Sequence, residues 1–253
     1  MRESKRTILF LMLGSFFIAN AIIAEFVGVK IFSVEDTLGI KPFAIHLLGD
    51  VYSFNMTAGV LLWPVVFIMT DIINEYFGKH GVRLFSYIAA ALISYAFLAV
   101  YTTIKVAPAG FWLLKETVDG PINMQVAFSS IFGQGMWIIV GSLVAFLVGQ
   151  FVDVYVFHYI KLKTGNKALW LRSTGSTLVS QFIDSFVVLI IAFYIGGNWP
   201  LKLVLAVGVV NYIYKFVVAA LLTPVLYVVH AIIDNYLGKE LAEKMMKEAA
   251  GED

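Results

Sequence analysis

Several stretches of this chain run for more than about 18 residues with almost no charge, the length at which an apolar segment is taken as a membrane-spanning helix. Membrane β-barrels use short strands of alternating polarity, which these continuous runs do not resemble. The composition agrees, because 60% of the residues are hydrophobic and 14% are charged, whereas about a quarter of a soluble domain is charged. The sequence therefore predicts an all-α, polytopic membrane protein.

Composition and motifs also argue against several classes of function. The chain has no cysteine, which excludes disulfides, thiol catalysis and thiolate metal sites. Its four histidines are scattered without a ligand spacing, so we expect no metal. The formal net charge of +1 gives no reason to expect a nucleic-acid partner. No P-loop or hydrolase motif is present, so we expect no nucleotide hydrolysis, no enzyme and no cofactor.

The apolar runs predict six transmembrane helices. They span about residues 7–27, 55–77, 84–104, 125–159, 173–195 and 203–236. We therefore expect a transmembrane domain over residues 1–237 and a charged cytoplasmic tail over residues 238–253. The mixed segment 28–54 predicts an external hairpin or irregular loop. The basic start and the sequence Ala19-Asn20-Ala21 also fit a signal peptide, but we favour an uncleaved first helix.

The second and sixth predicted helices carry a weak internal repeat. Residues 61–79 and 221–239 align without a gap at a fixed offset of 160, and nine of the nineteen positions match. The matched proline, tyrosine and terminal Gly-Lys pair are informative, whereas matched leucines and valines are common in apolar helices. Internal symmetry is frequent in transporters, whose substrate site tends to lie between the repeats.

Lysine and arginine are unevenly distributed between the two ends of the predicted helices. Twelve of the eighteen lie at one end: Arg2, Lys5, Arg6, Lys79, Arg83, Lys161, Lys163, Lys167, Arg172, Lys239, Lys244 and Lys247. Cytoplasmic loops of membrane proteins carry the excess of basic residues. We therefore expect both termini in the cytoplasm, with the two repeated helices crossing in the same direction.

Two acidic side chains lie near one end of the second predicted helix. Asp71 and Glu75 are four residues apart and therefore share a helix face. Intramembrane acids usually face a cavity or a partner charge. The alternative is that both lie solvated at the headgroup boundary, since Gly78, Lys79 and His80 follow at once.

The fifth predicted helix has one polar stripe, in which Thr177, Gln181 and Asp184 are spaced i, i+4 and i+7. Hydroxyl residues such as Thr177 and Ser180 often simply join helices, whereas Asp184, near mid-bilayer, must be paired or protonated. Lys215 is the only base that looks buried from the sequence, so one of the buried acids could be its partner. A structural ion pair would need no substrate. We favour binding, because membrane acids cluster along transport pathways.

Four sequence motifs together carry a family resemblance. They are TDIINEYFGK, GQFVDVYVF, LWLRSTGSTLVSQFIDSFVV, and NYIYKF followed by Pro224 and Tyr227. Over about residues 10–237 the chain resembles the queuosine precursor transporter family, earlier labelled vitamin uptake transporters. The resemblance implies a six-helix protein of the cell inner membrane that imports 7-deazaguanines such as 7-cyano-7-deazaguanine or its aminomethyl relative. By motif position it implies these site residues: Asn20, Asp71, Asn74, Glu75, Asp153, Arg172, Ser176, Thr177, Ser180, Gln181, Asp184 and Lys215.

The polar residues suit a purine-like ligand. A guanine-type edge has N–H donors that a carboxylate accepts and a carbonyl that accepts from an amide or ammonium group. Asp184 with Gln181, or Asp71 with Asn74, could supply that pairing. An aromatic side chain would stack on the ring, and Trp63 or Trp137 could do so instead of anchoring the protein at the membrane interface.

Other readings of the sequence stay open. One is a substrate-capture subunit that needs an external ATPase partner. Another is an intramembrane enzyme with Asp71 and Asp184 as an acid–base pair, which requires the two carboxylates to lie within hydrogen-bond reach. A third is a structural scaffold without a cavity. Proton symport and facilitated diffusion are both compatible with the chain, and glycines of the fourth helix could serve a homodimer within the lipid bilayer.

Overall fold

The computed structural model describes residues 2–47, 49–133, 136–164 and 168–250. Its helices are α1 Arg2–Val27, α2 Val34–Leu38, α3 Trp63–Lys105, α4 Gly110–Leu113, α5 Met124–Phe132, α6 Met136–Thr164, α7 Leu169–Leu189, α8 Leu201–Leu237 and α9 Lys239–Ala250, with a 3₁₀ turn at Ala58–Leu61 and a π-helical turn at Ile190–Ile195. Its short strands are β1 Ile31–Ser33, β2 Ile45–Leu47, β3 Asp50–Tyr52, β4 Asn55–Thr57, β5 Leu114–Lys115 and β6 Ile122–Asn123. The strands form three separate antiparallel pairs, β1 with β4, β2 with β3 and β5 with β6.

Five helices of the described chain are long and apolar enough to cross a membrane. They are Ser4–Val27, Trp63–Lys105, Met124–Thr164, Trp170–Ile195 and Leu201–Leu237. The prediction of a helical, multi-pass architecture is therefore confirmed. Gly135, within the predicted fourth helix, lies outside the described residues, as does Lys167 of the basic loop.

Helix α3 is 43 residues long and breaks at Gly78. At 1.5 Å per residue an unbroken helix of this length would extend about 65 Å, roughly twice the thickness of a bilayer core. Gly78 has φ 66° and ψ −172°, a conformation that is almost confined to glycine. We call residues 63–77 the first arm of α3 and residues 79–105 its second arm.

The two arms run in opposite directions along α1. The first arm begins beside the end of α1, where Ala58 N donates to Lys30 O over 2.7 Å. It ends beside Phe10, whose ring lies 4.8 Å from that of Phe77. The second arm starts at the same level, since the Phe10 and Phe85 rings are 4.5 Å apart. It then returns along α1, bringing Phe97 within 5.6 Å of Phe26.

The predicted start of the second helix at residue 55 is wrong. Residues 55–61 form β4 and the 3₁₀ turn, and α3 begins at Trp63 with Pro64 in its first turn. Proline favours that position because the first helical N–H groups have no partner inside the helix. The gap left between the second and third predicted helices, residues 78–83, is shorter in the structure, since the backbone is helical again directly after Gly78.

Basic residues from distant parts of the sequence meet at one end of the molecule, which we call the α9 end. Arg6 Nη1 lies 2.9 Å from Glu248 Oε2, and Lys5 Nζ donates to Tyr236 O over 2.6 Å. Lys161 Nζ lies 3.4 Å from Met246 O. The charged tail is therefore a packed helix here, with Met245 buried. Three of the basic residues predicted at one end, Lys5, Arg6 and Lys161, thus lie together in the structure.

The two repeated segments agree at their ends and differ at their prolines. Gly78 and Gly238 have φ of 66° and 85°, and a new helical segment begins at the lysine after each. Pro64 lies in the first turn of α3, whereas Pro224 lies inside α8. The repeat stays a prediction.

Candidate functional site

A cavity lies between the first arm of α3, α7 and α8. It has an empty volume of about 540 Å³, which includes space open to its surroundings. Its lining residues are Val60, Trp63, Pro64, Phe67, Ile68, Asp71, Ser173, Thr174, Thr177, Gln181, Lys215, Ala219, Leu222, Thr223 and Leu226. Most of these side chains are apolar, and the polar ones come from three different helices. A concave apolar site with a few convergent polar groups is the usual form of a small-molecule site.

The α3 wall is built from a four-residue spacing. Trp63, Phe67 and Asp71 follow one another at i, i+4 and i+8 and therefore lie on one helix face. The Trp63 ring lies 5.5 Å from that of Phe146, which supports it from α6. The Asp71 side chain accepts a hydrogen bond from the Ser173 hydroxyl through Oδ2. Its Oδ1 has no hydrogen-bond partner among the described residues.

The alternative that Asp71 and Glu75 are solvated at the headgroup boundary is wrong. Asp71 is 3% exposed and Glu75 is fully buried. A buried carboxylate without a partner is costly, and each of these side chains has partners on other helices. The prediction that they face a cavity or a partner charge therefore holds, with Asp71 facing the cavity and Glu75 facing cations.

The α7 wall presents the predicted polar stripe. Ser173, Thr177 and Gln181 are spaced by four and all line the cavity. Gln181 is 4% exposed, and its Nε2 has no hydrogen-bond partner among the described residues. Asp184, the last member of the stripe, lies at the cavity edge, where its Oδ2 accepts from the Lys215 ammonium group. Gln181 and Asp71, each of which carries a buried polar atom without a hydrogen-bond partner among the described residues, therefore line the same cavity.

Helix α8 supplies the third wall. Lys215, Ala219 and Thr223 are again spaced by four. The Thr223 and Thr174 hydroxyls lie 2.9 Å apart and join α8 to α7 at the far end of the cavity from Lys215. The intramembrane-enzyme hypothesis required a hydrogen bond between the Asp71 and Asp184 carboxylates. In the structure Asp71 instead pairs with Ser173, and Asp184 pairs with Lys215.

A buried ion cluster lies one helical turn beyond Asp71, toward the α9 end. Glu75 Oε1 is 2.6 Å from Arg172 Nη2, and Glu75 Oε2 is 3.3 Å from Lys161 Nζ. Arg172 is 2% exposed and Lys161 is 3% exposed. The prediction that Lys215 is the only buried base is therefore wrong, because Arg172 and Lys161, both counted among the basic residues at one end of the predicted helices, are buried as well. The cluster joins α3 to α6 and α7.

The remaining residues implied by the resemblance do not line the cavity. Ser180 donates to Asp153 Oδ1 over 3.1 Å, which links α7 to α6. Asn20 Nδ2 donates to Phe16 O of its own helix over 2.8 Å. Asp71, Thr177, Gln181 and Lys215 line the cavity and Asp184 adjoins it, whereas these lie outside its lining: Asn20, Asn74, Glu75, Asp153, Arg172, Ser176 and Ser180.

Several lining residues were not singled out from the sequence. Phe67, Ser173, Thr174 and Thr223 belong to this group. The four-residue spacing could have identified them from the sequence. Phe67, for example, lies midway between Trp63 and Asp71 on one helix face. Trp63 was considered for stacking or anchoring, and it lines the cavity.

Comparisons with known proteins agree with one another. Residues 57–229 match the family model described as "Putative vitamin uptake transporter". The chain is 30% identical over 187 residues to the "Probable queuosine precursor transporter" of Bacillus subtilis, covering 74% of this chain and 76% of that protein. It is 28% identical to the protein of the same name from Haemophilus influenzae, over 87% and 85% of the two chains. It is 25% identical to the "Queuosine precursor transporter" of Escherichia coli, over 80% and 83%. No solved structure matches the chain.

Proposed function

This chain belongs to the queuosine precursor transporter family, and on that premise we propose that it imports queuosine precursors of the 7-deazaguanine class. The relatives are named as transporters and not as enzymes, and five membrane-length helices fit a multi-pass transporter. The substrates we propose are 7-cyano-7-deazaguanine and its aminomethyl relative. The proposed location is the cell inner membrane.

One observation carries the proposed binding mode. Two residues that line the cavity each carry a buried polar atom without a hydrogen-bond partner among the described residues: the acceptor Asp71 Oδ1 and the donor Gln181 Nε2. Unpaired buried polar groups are costly and are normally met by a ligand or water. A guanine-type base offers N–H donors that suit Asp71 and a carbonyl that suits Gln181. The proposed pairing therefore joins Asp71 with Gln181, in place of Asp71 with Asn74.

The two polar groups lie at different levels of the cavity. Ser173, which holds Asp71, lies two turns before Gln181 on α7, about 12 Å along the helix axis. Both side chains incline toward the N-terminus of α7, and the longer Gln181 side chain reaches further in that direction, toward the level of Asp71. In this proposal Thr177 lies between the two polar groups. Trp63 and Phe67 supply the aromatic surface on which the ring stacks.

In the proposed site, Lys215 and Asp184 form an ion pair at one edge of the cavity. Because the ammonium group is already paired with the Asp184 carboxylate, Lys215 adds no uncompensated charge beside 7-cyano-7-deazaguanine, which is neutral. The pair also links α7 to α8. We propose that it closes one side of the cavity.

The proposed topology has six crossings with both termini in the cytoplasm. Support comes from the reversal of α3 at Gly78, which makes each arm a separate crossing. Support also comes from the basic residues gathered at the α9 end, since cytoplasmic segments carry the excess of lysine and arginine. The domain boundary near residue 238 and a homodimer both remain proposals.

Uptake in cells that cannot synthesise the base tests the proposal. Asp71→Asn, Gln181→Leu and Asp184→Asn should each reduce uptake of labelled 7-cyano-7-deazaguanine about tenfold or more, the effect of losing one buried hydrogen bond. Asp119→Asn, which changes an exposed loop acid, is the matched control and should transport normally. Normal uptake by Asp71→Asn and Asp184→Asn at equal membrane levels would contradict the proposal.

A further inference from the structure

A second cavity lies at the end of the molecule opposite α9, which we call the outer end. It is lined by Val51, Ser53 and Asn55 from the β3–β4 segment and by Val207, Val210 and Asn211 from α8. Its empty volume of about 520 Å³ includes space open to its surroundings. Its polar groups are one hydroxyl and two amides, so it has hydrogen-bonding capacity without charge.

The two cavities lie in line along one face of α8. Val207, Asn211, Lys215 and Ala219 are each four residues apart, and positions four apart on a helix share a face. Asn211 faces the outer cavity and Lys215 faces the first cavity, so a single helical turn separates them. The Lys215–Asp184 ion pair therefore lies at the boundary between the two spaces.

The loop wall of the outer cavity is held by a buried acid that the proposed transport site does not use. Glu35 is fully buried, and its Oε1 accepts from Phe54 N over 2.8 Å and from Phe43 N over 3.3 Å. Val34 N donates to Phe54 O over 3.0 Å, and Asn55 pairs with Ser33 between β4 and β1. These bonds fix the backbone directly beside Ser53 and Asn55.

A hydrogen bond also fixes the orientation of the two polar side chains of that wall, Ser53 and Asn55. Asn55 Nδ2 donates to Ser53 Oγ over 3.0 Å. Asn211 projects from α8 on the other side of the cavity. The β2–β3 hairpin covers the start of α8, since a side-chain carbon at Gly49 would lie 3.6 Å from Lys202 Nζ. The cavity is therefore bounded by an anchored loop and a helix.

We propose that the outer cavity is a second substrate site, occupied by the same flat, hydrogen-bonding base before it passes the Lys215–Asp184 pair into the first cavity. The identity of the base rests on the proposed function. The uncharged lining makes this site the weaker of the two, because hydrogen bonds to charged groups are stronger than those between neutral groups. A low-affinity outer site in line with a higher-affinity inner site binds substrate from outside and releases it readily toward the inner site.

Thiol labelling tests the second site, and the absence of native cysteine makes the readout clean. Asn211→Cys should react with a neutral thiol reagent added from outside, and 7-cyano-7-deazaguanine should slow that reaction about threefold or more as occupancy rises. The same protection should persist when Asp71→Asn disables the first cavity. Val118→Cys, in an exposed loop at the outer end, is the matched control and should label at a rate that the base does not change.

Uptake kinetics separate this inference from the proposed function. Val207→Phe, which fills the outer cavity, should raise the half-saturating concentration about tenfold while tight binding to purified protein changes less than about twofold. Val209→Phe should change neither. Loss of protection in Asp71→Asn, or unaltered uptake by Val207→Phe in a protein that transports the base, would overturn the second site. Failure of the wild-type chain to bind or transport any deazaguanine would instead overturn the proposed function.

Discussion

Glu75 shows how a buried residue can look solvated in the sequence. Its neighbours along the chain are polar, yet its carboxylate contacts Arg172 and Lys161, which lie 97 and 86 residues away. Burying three charges is tolerable only when each is compensated. The four-residue spacing of Asp71 and Glu75 identified Glu75 as an intramembrane acid that needs a partner. It could not identify which residues on other helices are its partners.

Removing the Glu75 charge should therefore destabilise the fold. Glu75→Gln removes the charged carboxylate that both Arg172 and Lys161 contact, and breaking a buried ion pair costs about 3–5 kcal/mol. The thermal unfolding midpoint of the purified protein should fall, and the amount of folded protein in the membrane should fall with it. Glu116→Gln, at an exposed loop position, should leave both unchanged. A Glu75→Gln protein as stable as the wild type would show that the cluster contributes little to stability.

Glu35 gives a pH-dependent prediction outside the membrane. Burial opposes its ionisation, but N–H groups of Phe54 and Phe43 and the Ser33 hydroxyl more than offset this and lower its pKa below the ordinary value of 4.5. A lowered pKa in the folded state means that the charged form stabilises the fold above the unfolded-state pKa. That contribution is lost as pH falls through the folded-state pKa.

Replacing Glu35 with a group that cannot ionise should therefore flatten the acid side of the stability profile. Glu35→Gln should unfold at a lower temperature than the wild type near pH 7, and the two midpoints should converge between about pH 5 and about pH 3. Glu116→Gln should follow the wild-type profile throughout. A constant gap between Glu35→Gln and the wild type across this range would contradict the assigned role of the carboxylate.

At the scale of elements, helix identity was more predictable than helix ends. Apolar length alone located α1, α7 and α8 to within a few residues. The start of α3 was misplaced because residues 55–57 pair with β1, and such long-range pairing leaves no local pattern. The Gly-Lys pair at residues 78 and 79 marked the end of the first arm correctly, since only glycine readily takes the backbone conformation found there.

Gly78 should tolerate substitution less well than its counterpart Gly238. Both have positive φ, so alanine at either position costs about 1–3 kcal/mol of backbone strain. At Gly78 the new methyl would also lie 3.0 Å from Ala249 O of α9, whereas nothing lies within 4 Å of a methyl at Gly238. Gly78→Ala should therefore lower the unfolding midpoint more than Gly238→Ala. Equal effects, or the reverse order, would contradict the described packing of α9 on Gly78.

The sequence predicted the site residues that share a face of one helix. It did not predict the hydrogen bonds and ion pairs that join different helices. The α7 stripe of Thr177 and Gln181 follows from period alone and lines the cavity as expected. The Asp71–Ser173 and Lys215–Asp184 pairs join different helices, and their assignment needed three-dimensional packing. The proposed partner of Asp71 in binding changed accordingly, from Asn74 beside it to Gln181 across the cavity.

At the scale of the whole molecule, six crossings predict a definite sidedness. In intact cells an impermeant thiol reagent should label Lys41→Cys and Val118→Cys but not His80→Cys or Lys244→Cys, and all four should react after the membrane is opened. The reason is that α3 reverses at Gly78, so the position after that turn shares a side with α9. Labelling of His80→Cys and Val118→Cys from the same side would rule out two separate crossings by the arms of α3.

In the proposed mechanism, the cavity recognises the hydrogen-bonding edge of a guanine-type base through Asp71 and Gln181. The direct measurement is equilibrium binding of 7-cyano-7-deazaguanine and the matching 7-deazaadenine, whose edge has donors and acceptors exchanged, to the purified chain. The wild type and Asp119→Asn should prefer the guanine-type base by about tenfold or more, and Asp71→Asn should lose that preference. Equal affinity of the wild type for both bases, or an undiminished preference in Asp71→Asn, would contradict the central claim.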